Sequence, residues 1–221
     1  MPDSIGNPKS KIENKMSFQL YYITDRTQIP SEQLETRIAQ AVSAGVDWVQ
    51  IREKDMSARR LLAIAANAAR EARRHGKTRV IVNDRLDVAF AAHAHGVHLG
   101  TRSLPVDAVR KLAPSDCEVG VSCHSFAAAK TAEEAGADYL LLGPIFATPS
   151  KLQYGPPLGL ATLREVTAQV SIPVFALGGI TADRVAACRE HGASGIAAIR
   201  LFQEADSIQT VVDDLRARAA G

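Results

Sequence analysis

The stretch Gly136-Ala137-Asp138-Tyr139-Leu140-Leu141-Leu142-Gly143-Pro144-Ile145-Phe146-Ala147-Thr148-Pro149-Ser150-Lys151 joins two kinds of sequence. Tyr139 to Leu142 is an unbroken apolar run, the mark of a strand buried on both faces. Gly143-Pro144 stops that run, and the chain then presents Thr148, Ser150 and Lys151. Hydroxyls and backbone N–H groups bond phosphate oxygens, and a lysine adds a point charge. The stretch therefore reads as a buried strand that delivers a phosphate-binding loop. Pro156 to Leu160 follows and leads into a helix.

A strand of this kind needs helices to cover it, and the chain on either side supplies them in strict alternation. Leu20–Ile23 is a first strand, followed by a helix over 31–44 with Ser31 as its N-cap and Gly45 as its stop. Trp48–Ile51 precedes a long Ala/Arg-rich helix from Ser57 to His75. Arg79–Val82, Gly96–Leu99 and Val119–Ser122 are further strands, each followed by a helical segment; Pro105 opens one of these and Ser125 caps another. After Tyr139–Leu142 come a helix over Leu160–Val170, a strand at Pro173–Leu177, a helix opening at Thr181, a strand at Gly195–Ile199 and a last helix to Ala219. Eight strand–helix units predict a single-domain (β/α)8 TIM barrel over residues 18–221. Residues 1–17, polar with Pro, Gly and Lys and without a hydrophobic centre, are expected to be a flexible extension rather than a signal peptide.

Composition removes several classes of function. A net charge of +2 and 5% aromatic residues provide neither a basic stripe nor stacking platforms for nucleic acid. No apolar run approaches a membrane span. Three cysteines without C-x-x-C spacing argue against a disulfide framework or a zinc site, and fit reduced thiols in the cytoplasm. Cys123 and His124 are neighbours, but adjacent strand residues point to opposite faces, so they make a poor nucleophile–base pair.

In a barrel the active site lies at the C-terminal ends of the strands. Those ends carry Arg52 and Lys54, Asn83 and Asp84, Ser122 and His124, Thr148, Ser150 and Lys151, Gly178-Gly179, and Arg200. Gln50 shares the parity of Arg52, so both are expected to face the axis. Arg52, Lys54 and Lys151 suit a diphosphate, and Asp84 suits a Mg²⁺ bridging its oxygens. The Gly178-Gly179 corner suits a phosphate site.

These residues resemble thiamine phosphate synthase and its paralogue, thiazole tautomerase. The matching segments are VQIREKD, VIVNDRLDVAFA, GVHLG, GVSCHS, GADYLLLGPIFATPSK, PPLGL, PVFALGGI and GASGIAAI, spanning Val49 to Ile199. The resemblance implies that Gln50, Arg52, Lys54, Asn83, Ser122 and Lys151 bind hydroxymethylpyrimidine diphosphate and that Asp84 binds Mg²⁺. It implies that Thr148, Ser150, Gly179, Ile199 and Arg200 hold hydroxyethylthiazole phosphate. The two heterocycles would join as thiamine phosphate, diphosphate leaving first, with Arg52, Lys54 and Lys151 stabilising it and no general base needed for bond formation. The family also implies a homodimer.

The chain departs from the synthase pattern twice. Ser103, in Gly100-Thr101-Arg102-Ser103, stands at the usual second metal carboxylate, and Arg200 stands where synthases have Ser. The Arg102-Ser103 loop is similar to that of the tautomerases, which place an acid/base histidine at the position of His124. A tautomerase-like isomerase using His124 and a non-catalytic binder of thiamine intermediates are therefore the alternatives to the synthase.

Overall fold

In the computed structural model the described residues are 17–148 and 156–220. Eight parallel strands close into one barrel: β1 (Gln19–Ile23), β2 (Trp48–Ile51), β3 (Arg79–Asn83), β4 (Gly96–Leu99), β5 (Glu118–Cys123), β6 (Tyr139–Leu142), β7 (Val174–Leu177) and β8 (Gly195–Ala198). Each strand pairs with its sequence neighbour, and β8 returns to β1 with Leu20 opposite Ile196. The expected (β/α)8 barrel is the fold observed.

Strand parity divides the core in two. Outward residues such as Val49, Val80, Leu140 and Ile196 form one apolar cluster with the covering helices. Those helices are α1 (Leu34–Ser43), α2 (Ala58–His75), α3 (Leu86–Ala91), α4 (Val106–Leu112), α5 (Phe126–Glu134), α6 (Gly159–Gln169), α7 (Val185–Glu190), α8 (Arg200–Gln203) and α9 (Ile208–Ala220). Inward residues Tyr21, Trp48, Tyr139 and Phe175 form a second cluster inside the barrel. Tyr21 stacks on Trp48 with ring centroids 5.6 Å apart and meets Phe175 edge-on at 5.4 Å. Gly120 admits this plug: a Cβ there would stand 2.0 Å from the Tyr139 ring. The lower barrel is thus filled by large side chains, and what lies above them can be a cavity.

Several helix starts differ from expectation by local backbone geometry. Ser57 and Ser125 cap α2 and α5, accepting from the N–H groups of Arg60 and Ala128. The first helix, by contrast, begins at Leu34 with no side-chain cap, because Pro30 leads into a 3-10 turn over Ser31–Gln33. Pro105 precedes the first turn of α4 with an extended ψ of 152° rather than opening it. Thr181 leads into a 3-10 turn over Ala182–Arg184 before α7. The N-terminal extension, up to residue 16, lies outside the described residues.

Candidate active site

The C-terminal mouth of the barrel holds a cavity of about 680 Å³. Its floor is polar. Inward parity on β2, β3, β4 and β5 sets Gln50, Asn83, His98 and Ser122 above the aromatic plug. Gln50 is 1% exposed and donates from Nε2 to Asn83 Oδ1 at 3.1 Å, while its Oε1 is buried without a partner among the described residues. An orphaned buried acceptor costs about 1–3 kcal/mol. A ligand N–H reaching the floor relieves that cost.

His98 was missed by sequence reasoning, although its even spacing from Gly96 put it on the inward face. It bonds Ser122 Oγ through Nε2 at 2.8 Å and approaches the Tyr139 hydroxyl through Nδ1 at 3.4 Å. Complete burial, with the Arg52 charge adding to it, pushes its pKa down to about 3, so the ring is neutral. The Tyr139 hydroxyl in turn meets that of Tyr21 at 2.9 Å. Ser122 is therefore held from below by a neutral, hydrogen-bonded column.

The rim carries the charge. Arg52 and Lys54 follow β2 and line the cavity with Asn83 and Asp84. Asp84 has φ +65°, a left-handed conformation that costs most side chains but that Asp tolerates. Its N–H donates to the His98 carbonyl at 2.8 Å, tying the ends of β3 and β4 together. Asp84 does not cap α3, whose start lacks a side-chain cap. Its carboxylate accepts no hydrogen bond from a described residue.

Glu53 is the other carboxylate on the cavity wall, and it is engaged. It accepts from Thr24 Oγ1 at 2.6 Å and from the Arg26 N–H at 3.1 and 3.3 Å. Burial raises its pKa, with those hydrogen bonds opposing. The Glu53–Thr24 pair also positions Arg52, whose N–H donates to Thr24 Oγ1 at 3.0 Å. Neither Thr24 nor Glu53 was singled out from sequence, since a Thr and a Glu at strand ends carry no periodic signal.

On the far side, Ser103 Oγ accepts from the Gly100 N–H at 2.8 Å, so this hydroxyl closes a turn. His124 bonds the Gly143 carbonyl through Nδ1. A carbonyl only accepts, so Nδ1 carries the proton, and Nε2 has no partner among the described residues. Cys123 points the other way into the outer core, where burial pushes its thiol up to about 12, which agrees with the expectation that the two do not pair.

The Gly178-Gly179 corner, expected from the sequence to suit a phosphate, forms where the loops after β6 and β7 meet. Gly178 and Gly179 have φ +92° and +64°. A Cβ on Gly179 would lie 2.6 Å from the Ala147 carbonyl oxygen, so the corner packs backbone against backbone and leaves its N–H groups near the mouth. Thr148 is 8% exposed and accepts from Arg200 Nη2 at 3.5 Å. Strand β8 stops at Ala198, and Arg200 opens the short helix α8 after Ile199. Thr148, Gly179, Ile199 and Arg200 all line the cavity. Ser150 and Lys151 lie outside the described residues.

Among the described residues, no three His, Cys, Asp or Glu side chains gather into a metal cage. A single free carboxylate beside a basic rim suits a hard cation that keeps its waters and binds mainly through substrate oxygens, which is the habit of Mg²⁺.

Fold and mouth together define a (β/α)8 enzyme with a basic, polar cavity at the C-terminal ends of its strands. A family model, thiamine monophosphate synthase, matches residues 20–202, and the chain belongs to that family. It is 44% identical over 206 residues to the thiamine-phosphate synthase of Methanoculleus marisnigri, covering 93% of this chain and 97% of that one. It is 43% identical over 204 residues to the thiamine-phosphate synthase of Methanoregula boonei, covering 92% and 94%. A solved thiamine phosphate pyrophosphorylase from Pyrococcus furiosus superposes with a TM-score of 0.83 at 32% identity, over 93% of this chain and 96% of that one. Described helices include none long and apolar enough to cross a membrane.

Proposed function

We propose that the chain joins hydroxymethylpyrimidine diphosphate to hydroxyethylthiazole phosphate, giving thiamine phosphate and diphosphate. The observation that carries this reading is the layering of the mouth. Among the described residues, the Gln50 amide oxygen has no partner below and the Arg52 guanidinium has none above it, the one suited to an N–H of a heterocycle and the other to an anion. One substrate that is both aminopyrimidine and diphosphate satisfies both at once.

In this reading Gln50 and Ser122 orient the pyrimidine, with Asn83 holding Gln50 and His98 holding Ser122. Arg52, Lys54 and Lys151 bind the diphosphate and stabilise the charge that grows on it as it leaves, an electrostatic contribution that preorganised cations make well. Asp84 would hold Mg²⁺, which supplies further neutralisation of the diphosphate oxygens. Thr148, Ser150, the Gly179 and Ile199 backbone and Arg200 hold the thiazole phosphate. That grip sets the thiazole nitrogen close to the methylene carbon and converts an encounter into a near-unimolecular step. The electron-rich pyrimidine carries the transient cation, so no side chain needs to remove a proton.

The test is formation of thiamine phosphate by the purified protein from the two heterocycles with Mg²⁺. No product under conditions where a known synthase turns over overturns the reading. One observation favours a second activity at the same mouth. The Gly143 carbonyl fixes the His124 proton on Nδ1 and leaves Nε2 as a base, which an isomerase acting on a thiazole carboxylate phosphate requires. Isomerisation lost in His124→Asn supports that activity, and its absence in the parent protein removes it.

A further inference from the structure

Four arginines line the mouth: Arg52, Arg85, Arg102 and Arg200. Two of them are engaged. Arg85 grips Asp87 with Nε and Nη2, at 2.8 and 2.5 Å, and Arg200 reaches Thr148. The guanidinium groups of Arg52 and Arg102 make no hydrogen bond or ion pair among the described residues. Arg52 is already part of the diphosphate site proposed above; Arg102 has no role in it.

Arg102 stands on a pinned support. The Ser103 N–H donates to the Gly100 carbonyl at 3.1 Å, and the Gly100 N–H donates back to Ser103 Oγ at 2.8 Å. This doubly closed turn after β4 puts Thr101 and Arg102 at its tip, both exposed and both lining the cavity. The neighbouring strand end carries Asp84, tied to β4 through the His98 carbonyl. Because Glu53 is saturated by Thr24 and Arg26, Asp84 is the one carboxylate of this wall, among the described residues, open to a cation. A metal held by one protein carboxylate leaves much of the charge of a diphosphate to be met by side chains. A guanidinium, always charged and able to bind two oxygens at once, meets it well.

We propose that Arg102 is a diphosphate-binding residue, which closes on the leaving group from the β4 side and shares its charge with Arg52 and the metal held at Asp84. The inference rests on the synthase reading for the identity of the donor. It makes Arg102 a group that touches substrate, and it predicts that the metal requirement and the Arg102 charge are partly interchangeable.

The experiment compares the parent protein, Arg102→Ala, Arg102→Lys and Lys77→Ala, the last removing an exposed cation before β3 at the opposite end of the barrel. Titration calorimetry with inorganic diphosphate, at several Mg²⁺ concentrations, is run beside steady-state kinetics with each substrate varied. In Arg102→Ala diphosphate binding should weaken about tenfold, the strength of a charged hydrogen-bonded contact. The Mg²⁺ needed for half-maximal binding should rise, the KM for the diphosphate donor should rise, and the KM for the thiazole phosphate should stay within about twofold. Arg102→Lys should recover part of the loss, and Lys77→Ala should match the parent. Equal diphosphate affinity in Arg102→Ala and Lys77→Ala overturns the proposal, as does a parallel rise in both KM values or a lowered melting temperature, which mark a structural role. Diphosphate binding reads on Arg102 even if the parent forms no thiamine phosphate, so failure of the synthase reading and failure of this inference are separate results.

Discussion

The two ends of the barrel treat charge in opposite ways. At the N-terminal end several charged groups near strand starts are tied into ion pairs. Glu118, the first residue of β5, lies 3.3 Å from Arg79, the first residue of β3, and the Arg79 guanidinium sits 4.9 Å over the Trp48 ring. Asp47, ahead of β2, bonds Arg216 at 2.7 Å and also accepts from the Leu20 N–H at 2.7 Å. Asp138, ahead of β6, pairs with Arg110 and accepts from the Val119 N–H at 2.8 Å. At the mouth, by contrast, Arg52, Arg102 and Asp84 stand over an amide oxygen that has no partner among the described residues. Ion pairs between strand ends staple the closed end, where among the described residues only Glu118 Oε2 is buried without a hydrogen-bond partner, whereas cations without a partner among those residues gather at the open mouth. Stability and function are thus allotted to opposite ends of one sheet.

The most severe way to test that division is to remove the aromatic plug between the ends. Phe175→Ala should cost about 3–5 kcal/mol of unfolding free energy, since the ring is fully buried against Tyr21, Trp48 and Tyr139. Urea unfolding measures this, and a loss below about 1 kcal/mol would show that the plug can collapse and is not the barrel's floor. Next in size is Arg52→Ala. Losing this preorganised cation should lower kcat/KM by about 10²–10³-fold, with unfolding free energy changed by no more than about 0.5 kcal/mol. A comparable loss of stability would erase the contrast between the ends.

Gly179→Ala probes the proposed phosphate corner, where the backbone is tightly packed. The added Cβ meets the Ala147 carbonyl at a positive φ, so strain of about 1–3 kcal/mol is expected. The KM for the thiazole phosphate should rise more than that for the diphosphate donor; a selective effect on the donor would place the acceptor phosphate elsewhere.

The mildest test is a pH titration at the closed end. Burial, opposed by Arg79, raises the Glu118 carboxyl to about 7. Between its ordinary value of 4.5 and about 7 the folded protein keeps a proton that the unfolded chain has released. The unfolded state then binds fewer protons, so stability falls as pH rises through that window and levels off above it. Glu118→Gln should remove this part of the slope in thermal unfolding, leaving activity at fixed pH unchanged. An identical pH profile in both proteins would mean that Glu118 is ionised in the fold and fully compensated by Arg79.

Much of this was legible before any fold was known, and the reasons are local. Apolar runs such as Tyr139–Leu142 declare doubly buried strands, and the alternation with helical periods declares the barrel. Parity then aims Gln50 and Arg52 inward, while the rule that barrel sites lie at strand C-termini gathers Asn83, Asp84, Ser122, His124, Thr148 and Arg200 to the same mouth. Helix starts were less legible, as at Leu34, because a proline-led 3-10 turn and a side-chain cap begin with similar residues.

The amino-acid sequence by itself determined the architecture, the end of the barrel that holds the site and most of the polar side chains that line it, because strand and helix periods and inward parity are properties of neighbours in the chain. Only the tertiary structure decided which of those groups are free. Glu53 is consumed by Thr24 and Arg26, Ser103 by its own turn and Arg85 by Asp87, and His98 is neutral and committed to Ser122. Among the described residues, Arg52, Arg102, Asp84 and the Gln50 oxygen are left facing the cavity. Satisfaction of a polar group depends on partners brought from other strands, and no pattern along a single chain records it.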